Sequence, residues 1–348
     1  MLYKHIVKPL VFKKDAEEAH ELVLKIASST NDSILLQKLA SVIYGTKKNP
    51  EQNFWGLTFK NPIGLAAGFD KNGTTPKAMQ ALGFGFVEVG SITAKASNGN
   101  AKPRAFRLPE DNSLINRMGL NNEGADVIVK RLQNIKLNIP LGINIAKTND
   151  PEIHGEKAIA DYVYSYTKAC LVADYITVNI SCPNTGEGKT FEDPDALTAL
   201  LQGLDISKSS IPTLVKFSVD TDKSTLIKLV EICEKFNISG YVATNTSSGR
   251  AGLRTSDSTL EKIGNGGLSG RAIAQKSDRV ISSLYEILQG SKPIIGVGGI
   301  DSVESAQRKI DAGANLIQIY TGLVYEGPGL IKKIAHGVNL NPLLSNRK

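Results

Sequence analysis

The most informative stretch of the sequence reads Tyr175-Ile176-Thr177-Val178-Asn179-Ile180-Ser181-Cys182-Pro183-Asn184-Thr185. Its apolar, β-branched first half predicts a buried strand. Pro183 cannot donate a ladder hydrogen bond, and the small polar residues around it favour a turn, so the strand should end here. We therefore expect the thiol of Cys182 at the mouth of a strand, where it could remove a proton from a bound ligand. The alternative is that Cys182 is a small core residue.

Eight strand-like apolar runs follow one another along the chain, and helical patterns lie between most of them. The runs cover residues 63–67, 86–89, 141–145, 175–180, 214–217, 241–243, 294–297 and 316–319. Helical patterns cover residues 157–172, 224–236, 273–288 and 303–312. Eight such units over about 280 residues predict a single TIM (β/α)8 barrel of the α/β class. A doubly wound sheet is the second choice.

Small and polar residues stand at the end of every predicted strand. In chain order they are Ala66, Ala67, Gly68, Asp70 and Lys71; Gly90 and Ser91; Asn144; Asn179 and Cys182; Lys216; Thr244, Asn245 and Thr246; Gly298 and Gly299; and Tyr320 and Thr321. The carboxyl ends of barrel strands meet at one rim, which is where the active sites of such barrels lie. We expect these residues to form a single site.

Two features of this rim indicate an anionic ligand. Gly298 and Gly299, with Gly270, suit a phosphate site because absent side chains let backbone N–H groups approach phosphate oxygens, although glycine pairs are more often turns. Lys216 lies inside an apolar strand, where an unpaired ammonium is costly. It therefore needs either a neighbouring carboxylate or an anionic ligand such as a reduced flavin.

Side-chain amides are concentrated at the same rim. Asn116, Asn179, Asn184 and Asn245 together suit a uracil-like ring better than a sugar or a lipid, because each amide offers one donor and one acceptor group. Asn116 belongs to an asparagine-rich stretch, residues 114–122, that we expect to form turns. The four histidines lie away from the strand ends, so histidine-based catalysis is not expected.

Composition limits the possible partners. The sequence has 41 Lys and Arg against 34 Asp and Glu, which favours a phosphate-bearing cofactor, an acidic metabolite or an anionic membrane surface. The basic residues are scattered, so no nucleic-acid partner is expected. The three cysteines show no metal-binding or disulfide spacing, and Cys170 and Cys233 fall in helical patterns. No signal peptide or membrane-spanning run is present, which predicts a cytoplasmic protein.

The first 50 residues form a separate unit. Residues 15–28 and 34–43 each place apolar side chains on one helical face, which predicts two short amphipathic helices. They could simply cap the main domain, or they could form a port that faces lipid, since lysines 4, 8, 13 and 14 lie beside apolar residues 10–12. Residues 50–55 are predicted to be a linker, residues 51–340 the barrel, and residues 341–348 a tail.

Several of these motifs, in the same order, resemble the dihydroorotate dehydrogenase family. They are residues 61–71, 116–122, 179–185, 243–246, 266–270 and 293–301. Residues 18–21, Glu-Ala-His-Glu, and the N-terminal extension resemble the membrane-associated, quinone-using class 2. The resemblance implies an FMN enzyme of pyrimidine (UMP) synthesis that oxidises (S)-dihydroorotate to orotate and passes the electrons to quinone. It also implies peripheral association with the cell inner membrane, no metal and no obligate protein partner.

The resemblance also implies a role for individual residues. FMN would be held by Ala67, Gly68, Lys71, Ser91, Asn144, Asn179, Lys216, Thr244, Gly270, Gly299, Tyr320 and Thr321. Dihydroorotate would be held by Lys71, Asn116, Asn179, Asn184, Asn245 and Thr246. His20, Arg107 and Tyr320 would lie at the quinone end of a tunnel. Cys182 would be the base that removes the C5 proton.

The sequence departs from the class 2 pattern at two positions. Class 2 enzymes have serine where this chain has Cys182, whereas the soluble class 1 enzymes have cysteine. Leu120 stands where class 2 commonly has phenylalanine. Thr185 and the N-terminal extension agree with class 2, which we therefore expect. The alternatives are a soluble class 1-like enzyme that uses fumarate or NAD, and a non-catalytic FMN-binding barrel docked on membranes.

Overall fold

The computed structural model describes residues 3–31, 33–46, 51–181 and 191–340. The helices are α1 (Lys8–Val11), which continues a π-helical turn (Tyr3–Val7), α2 (Ala16–Ser28), α3 (Ile34–Tyr44), α4 (Pro76–Ala81), α5 (Ala125–Leu132), α6 (Glu156–Ala169), α7 (Pro194–Leu204), α8 (Lys223–Lys235), α9 (Asp257–Ile263), α10 (Ala274–Leu288), α11 (Val303–Asp311), α12 (Thr321–Glu326) and α13 (Gly329–Gly337). The strands are β1 (Gln52–Phe54), β2 (Leu57–Phe59), β3 (Ile63–Leu65), β4 (Phe86–Ile92), β5 (Ala105–Leu108), β6 (Ser113–Asn116), β7 (Leu141–Ile145), β8 (Tyr175–Asn179), β9 (Thr213–Phe217), β10 (Gly240–Ala243), β11 (Gly267–Gly270), β12 (Ile294–Val297) and β13 (Leu316–Ile319).

Eight parallel strands close into a barrel in the order β3-β4-β7-β8-β9-β10-β12-β13, and β13 pairs with β3 through the register Ile317↔Ile63. All eight predicted strands are present, so the predicted TIM barrel is confirmed and the doubly wound sheet is excluded. The barrel strands are buried on both faces, which is why they read as continuous apolar runs and not as alternating patterns. Helices α6, α8, α10 and α11 lie within a few residues of their predicted bounds.

The predicted N-terminal extension is also present. Helix α2 begins after Asp15, whose carboxylate accepts hydrogen bonds from the backbone N–H groups of Glu17 and Glu18. Helix α2 packs against β5, and α3 packs against α4. Several apolar side chains of α3, including Leu35 and Val42, remain exposed. None of the described helices combines the length and apolarity needed to cross a bilayer.

Two predictions about local structure were wrong. Residues 52–54, placed in a linker, form strand β1, which pairs with β2 in a hairpin. Trp55 lies in the turn of this hairpin, and its indole N–H donates to the Ser239 carbonyl at 2.8 Å. In the asparagine-rich stretch, expected to be turns, residues 114–116 belong instead to strand β6, which pairs with β5 and β11, whereas residues 117–122 lie in no helix or strand. Asn116 pairs with Ala105 of β5 on one side and with Gly267 of β11 on the other, and the second pairing is remote in sequence.

Candidate active site

One cavity of about 360 Å³ opens at the carboxyl ends of the barrel strands and continues beneath helix α2. Most of the predicted site residues line it. They are His20, Ala67, Gly68, Lys71, Ser91, Arg107, Asn116, Asn144, Asn179, Lys216, Thr244, Asn245, Thr246, Gly270, Gly299, Tyr320 and Thr321. The other two, Cys182 and Asn184, lie outside the described residues. The barrel therefore brings side chains from both ends of the chain around one space, as the rim pattern predicted.

Hydrogen bonds connect the amides at this rim into a chain with one direction. The Asn245 amide donates to the Asn179 side-chain oxygen at 3.1 Å, and Asn179 donates to the Ser91 hydroxyl at 3.3 Å. The Ser91 hydroxyl in turn donates to the side-chain oxygen of Asn144. Asn116 stands apart and donates to the Gly267 carbonyl at 3.3 Å. Each amide is thus held in one orientation before any ligand arrives.

Two lysines supply positive charge to the cavity. Lys216 is 6% exposed, and within the described part of the chain its ammonium makes no hydrogen bond or ion pair. Burial lowers the pKa of Lys216, and the electrostatic effect of Glu88 opposes this shift. Burial also lowers the pKa of Lys71 to about 8. Both lysines therefore become more strongly cationic when an anion binds beside them.

Backbone donors lie in the loop that follows β12. Gly298 and Gly299 line the cavity, and neither backbone N–H has an acceptor among the described residues. Gly299 has a φ of +74°, and a Cβ there would lie 2.4 Å from the Cβ of Ala274. Glycine is thus required by both conformation and space. This loop, with the buried Lys216 and the partly buried Lys71, fits a phosphate-bearing group with a further anionic edge.

Aromatic rings close the cavity beneath α2. The His20 ring donates through Nε2 to the Phe69 carbonyl at 2.8 Å and lies parallel to the Tyr320 ring, with their centroids 6.3 Å apart. Burial, with the charge of Lys71, lowers the pKa of His20 to about 4, so the ring is neutral at pH 7. Burial raises the pKa of Tyr320 to about 12. The side chains of His20 and Tyr320 are therefore both uncharged at neutral pH.

Arg107 lies farther along the part of the cavity beneath α2, which we call the passage. Its guanidinium stacks over the Phe12 ring at 4.6 Å from the ring centroid and donates to the backbone carbonyls of Val11 and Lys14. Most of the remaining lining of the passage is apolar, as at Ala19 and Val23, and its polar members are Tyr3 and Glu17. The passage thus combines a largely apolar wall with a few polar groups, a combination suited to an apolar ligand that carries a polar head.

Several polar residues of the site were not identified from the sequence, among them Gln318 and Glu88. Gln318 lines the cavity from β13, and its buried Oε1 has no donor within the described residues. Glu88 lies under the cavity on β4 and is fully buried. The available signal was the one that identified Lys216, namely a polar or charged residue inside an apolar strand.

Comparison with known proteins agrees with this architecture. Residues 50–341 match the family model described as dihydroorotate dehydrogenase. A protein of Idiomarina loihiensis named dihydroorotate dehydrogenase (quinone) is 42% identical over 343 residues, which cover 95% of this chain and 98% of that protein. A protein of the same name from Gloeobacter violaceus is 41% identical over 96% of this chain and 92% of its own length. The crystal structure of the ligand-free type of the enzyme from Eimeria tenella superposes with a TM-score of 0.82, at 31% identity over 93% of this chain and 94% of that one.

The fold and the site define a (β/α)8-barrel oxidoreductase with an N-terminal helical extension over the mouth of its active site. More particularly, the chain belongs to the dihydroorotate dehydrogenase family.

Proposed function

We propose that this enzyme oxidises (S)-dihydroorotate to orotate in de novo pyrimidine synthesis, with FMN as the hydride acceptor and a quinone as the final electron acceptor. One observation carries the proposal. A single cavity connects the amides and lysines at the barrel mouth to the apolar passage beneath α2. An enzyme of this kind needs such a continuous path, because its two substrates differ greatly in polarity.

The donor set supports FMN as the cofactor. The N–H groups of Gly298 and Gly299 would hold the phosphate, together with Gly270 and Thr321. Ala67, Gly68, Ser91, Asn144, Asn179, Thr244 and Tyr320 would surround the ring system. Lys216 would place its charge at the pyrimidine edge, where negative charge develops on reduction, in a site too dry for water to screen it. FMN, when bound, supplies the position that accepts the hydride from C6 and passes its electrons on to quinone.

Dihydroorotate is an anion with a uracil-like ring. Lys71 would pair with its carboxylate, and Asn116, Asn179, Asn184, Asn245 and Thr246 would bind its ring amides. Amides suit this task because they donate and accept hydrogen bonds without competing for the proton that leaves C5.

Cys182 would be the base that takes the C5 proton. A thiol has a reference pKa of about 8.5, so Cys182 needs less activation than the serine of class 2 enzymes. Cys182→Ala should nearly abolish flavin reduction by dihydroorotate and leave FMN bound. Cys182→Ser should retain activity with a pH profile displaced upward, because a hydroxyl ionises less readily. Unchanged reduction kinetics in Cys182→Ala would refute this role.

The quinone would enter between the N-terminal helices and reach His20, Arg107 and Tyr320. Exposed apolar residues of α2 and α3, such as Ile26 and Leu35, support a peripheral contact with the membrane, from which the quinone would come. The neutral imidazole of His20 adds no charge at this end of the passage. We assign no protein partner to this contact.

The first test compares acceptors. Steady-state oxidation of dihydroorotate by the purified protein is measured with ubiquinone and menaquinone analogues, fumarate and NAD. Preference for a quinone supports the proposal. Preference for fumarate or NAD would contradict it and indicate a class 1-like enzyme, as Cys182 alone would predict. Absence of flavin bleaching by dihydroorotate would indicate a barrel that binds FMN without catalysis.

The second test separates the two half-reactions. A variant that lacks residues 1–46 should lose quinone reduction. The deletion removes helix α2 and the N-terminal residues that contact Arg107, which together form one wall of the passage. Flavin reduction by dihydroorotate should remain, because the rim amides and lysines belong to the barrel. Full quinone turnover by the shortened protein would refute the passage.

A further inference from the structure

Glu88 is a fully buried carboxylate that does not line the cavity, yet it contacts side chains that do. Its Oε1 accepts a hydrogen bond from the Asn144 amide at 2.9 Å. Its Oε2 accepts from Gln318 Nε2 at 2.7 Å, from the Tyr175 hydroxyl at 3.1 Å and from Thr177 Oγ1 at 3.2 Å. All four partners donate, so the site is built for a carboxylate, which in its ionised form only accepts.

The bond from Asn144 fixes the direction of the amide chain described above. Because Asn144 gives its NH₂ group to Glu88, its oxygen faces Ser91 and accepts from that hydroxyl. Ser91 can then accept from Asn179, whose oxygen accepts from Asn245. Every donor in this chain points toward Glu88. The orientation of amides at the rim therefore depends on an acceptor at the barrel interior.

The bond from Gln318 has a comparable effect on the opposite side. Since Gln318 gives its NH₂ group to Glu88, its Oε1 is left buried without a donor among the described residues. A buried acceptor of this kind is costly unless a partner arrives. Gln318 lines the cavity, so a bound ligand is the available source of that partner.

We propose that Glu88 is a positioning residue of the cofactor site, which orients Asn144 and Gln318 and supplies the negative charge that balances Lys216. The inference deepens the proposed function and rests on it, because it assigns these groups to FMN. Glu88 and Lys216 lie on different strands, β4 and β9, and neither has an ion-pair partner within the described ranges. Tyr175 is the titratable group hydrogen-bonded to Glu88. Besides Lys216, the titratable and charged groups around the described part of the cavity are Lys71, His20 and Tyr320 and, farther along, Tyr3, Glu17 and Arg107.

The test uses Glu88→Gln in the full chain. A glutamine can direct its side-chain oxygen toward Asn144 or toward Gln318, but not toward both. The hydrogen bond that one of these two amides donates must therefore be lost. The apoprotein reconstituted with FMN should therefore show a dissociation constant at least tenfold above the wild-type value. A matched control is Asp161→Asn, since Asp161 is a buried carboxylate that accepts from Thr148 outside the cavity lining. Its FMN affinity should not change.

The midpoint potential of the bound flavin distinguishes this role from a merely structural one. Loss of a buried negative charge favours the more negative, reduced flavin, so the potential of Glu88→Gln should exceed that of the wild type at pH 6. The difference should shrink as the pH rises, because Lys216 without its balancing charge loses its proton earlier. Asp161→Asn should match the wild type at every pH.

The outcomes separate this inference from the function on which it rests. If the wild type binds FMN and Glu88→Gln has the same affinity and potential, only the role of Glu88 is overturned. A potential difference that does not vary with pH also overturns it. If the wild type binds no FMN, the proposed function and the role of Glu88 fail together. If Glu88→Gln retains no FMN, Glu88→Asp is measured in its place. This variant should bind FMN more weakly, and its midpoint potential should follow the wild-type dependence on pH. A different dependence overturns the role of Glu88.

Discussion

Glu17 and Arg104 form a buried ion pair that joins helix α2 to the barrel, and its removal should loosen that helix. The Arg104 guanidinium donates to the Glu17 carboxylate at 2.7, 3.0 and 3.1 Å, and the two side chains are 6% and 3% exposed. Arg104 also donates to the backbone carbonyls of Asn98 and Asn100, in the loop before β5. Glu17→Gln would leave the guanidinium buried without its balancing charge.

Breaking a buried pair from one side costs about 3–5 kcal/mol. The bonds from Arg104 to backbone carbonyls persist in Glu17→Gln, so we expect a value near the lower end, about 3 kcal/mol. At 1.4 kcal/mol per factor of ten, that corresponds to roughly a 150-fold increase in local opening of α2. Hydrogen exchange of the α2 amides measures this opening directly, with the amides of β9 as an internal reference.

Glu21→Gln is the matched control. Glu21 lies on the same helix and pairs with Lys102, but its side chain is 59% exposed, so its loss should cost no more than about 1 kcal/mol. Equal protection of α2 in Glu17→Gln and Glu21→Gln would refute the reasoning. So would a uniform loss of protection across α2 and β9, because the pair would then stabilise the whole fold and not the docking of one helix.

The same pair predicts a dependence on pH. Burial raises the pKa of Glu17, but Arg104 and then Lys102 outweigh it, so the pKa in the folded protein lies below the usual value. A carboxyl group with a depressed folded pKa stabilises the protein above its unfolded pKa, about 4.3, and loses that contribution as the pH falls through the folded value. The difference between wild type and Glu17→Gln should therefore be greatest near neutral pH and shrink below about pH 4.

Three further predictions concern the cavity. Because the pKa of Lys71 is about 8, the dissociation constant of the anion orotate should rise up to tenfold per pH unit above pH 8, and Lys71→Arg should remove this rise; an unchanged slope would contradict the role of Lys71. With a pKa of about 4, His20 should remain neutral from pH 5 to 8, so an imidazole NMR titration near pH 6.5 assigned to it would be incompatible with its burial. Gly299→Ala should lower stability by about 1–3 kcal/mol and weaken FMN binding, because its Cβ would lie 2.4 Å from that of Ala274, whereas Gly329→Ala, with open space around it, should change neither in thermal unfolding and FMN titration.

Local sequence signals were reliable where burial is uniform. The barrel strands are apolar on both faces, so each reads as a short apolar run, and the residues after each run belong to the rim because parallel strands end at the same edge. This reasoning placed Ser91, Asn144, Lys216 and Thr244 correctly around one cavity. The small sheet of β5, β6 and β11 was missed, because its pairing partners are far apart in sequence and its asparagine and glycine residues are typical of turns.

The sequence by itself determined the barrel, the helical extension and most of the polar residues around the cavity, because strand and helix periodicity and the polar ends of strands are local properties of the chain. Only the tertiary structure decided how those residues act on one another. The direction of the amide chain that ends at Glu88, the neutral state of His20 and the ion pair of Glu17 with Arg104 all depend on neighbours from distant elements. Hydrogen-bond direction and pKa are set by the surrounding charges, donors and burial, and these exist only once the chain has folded.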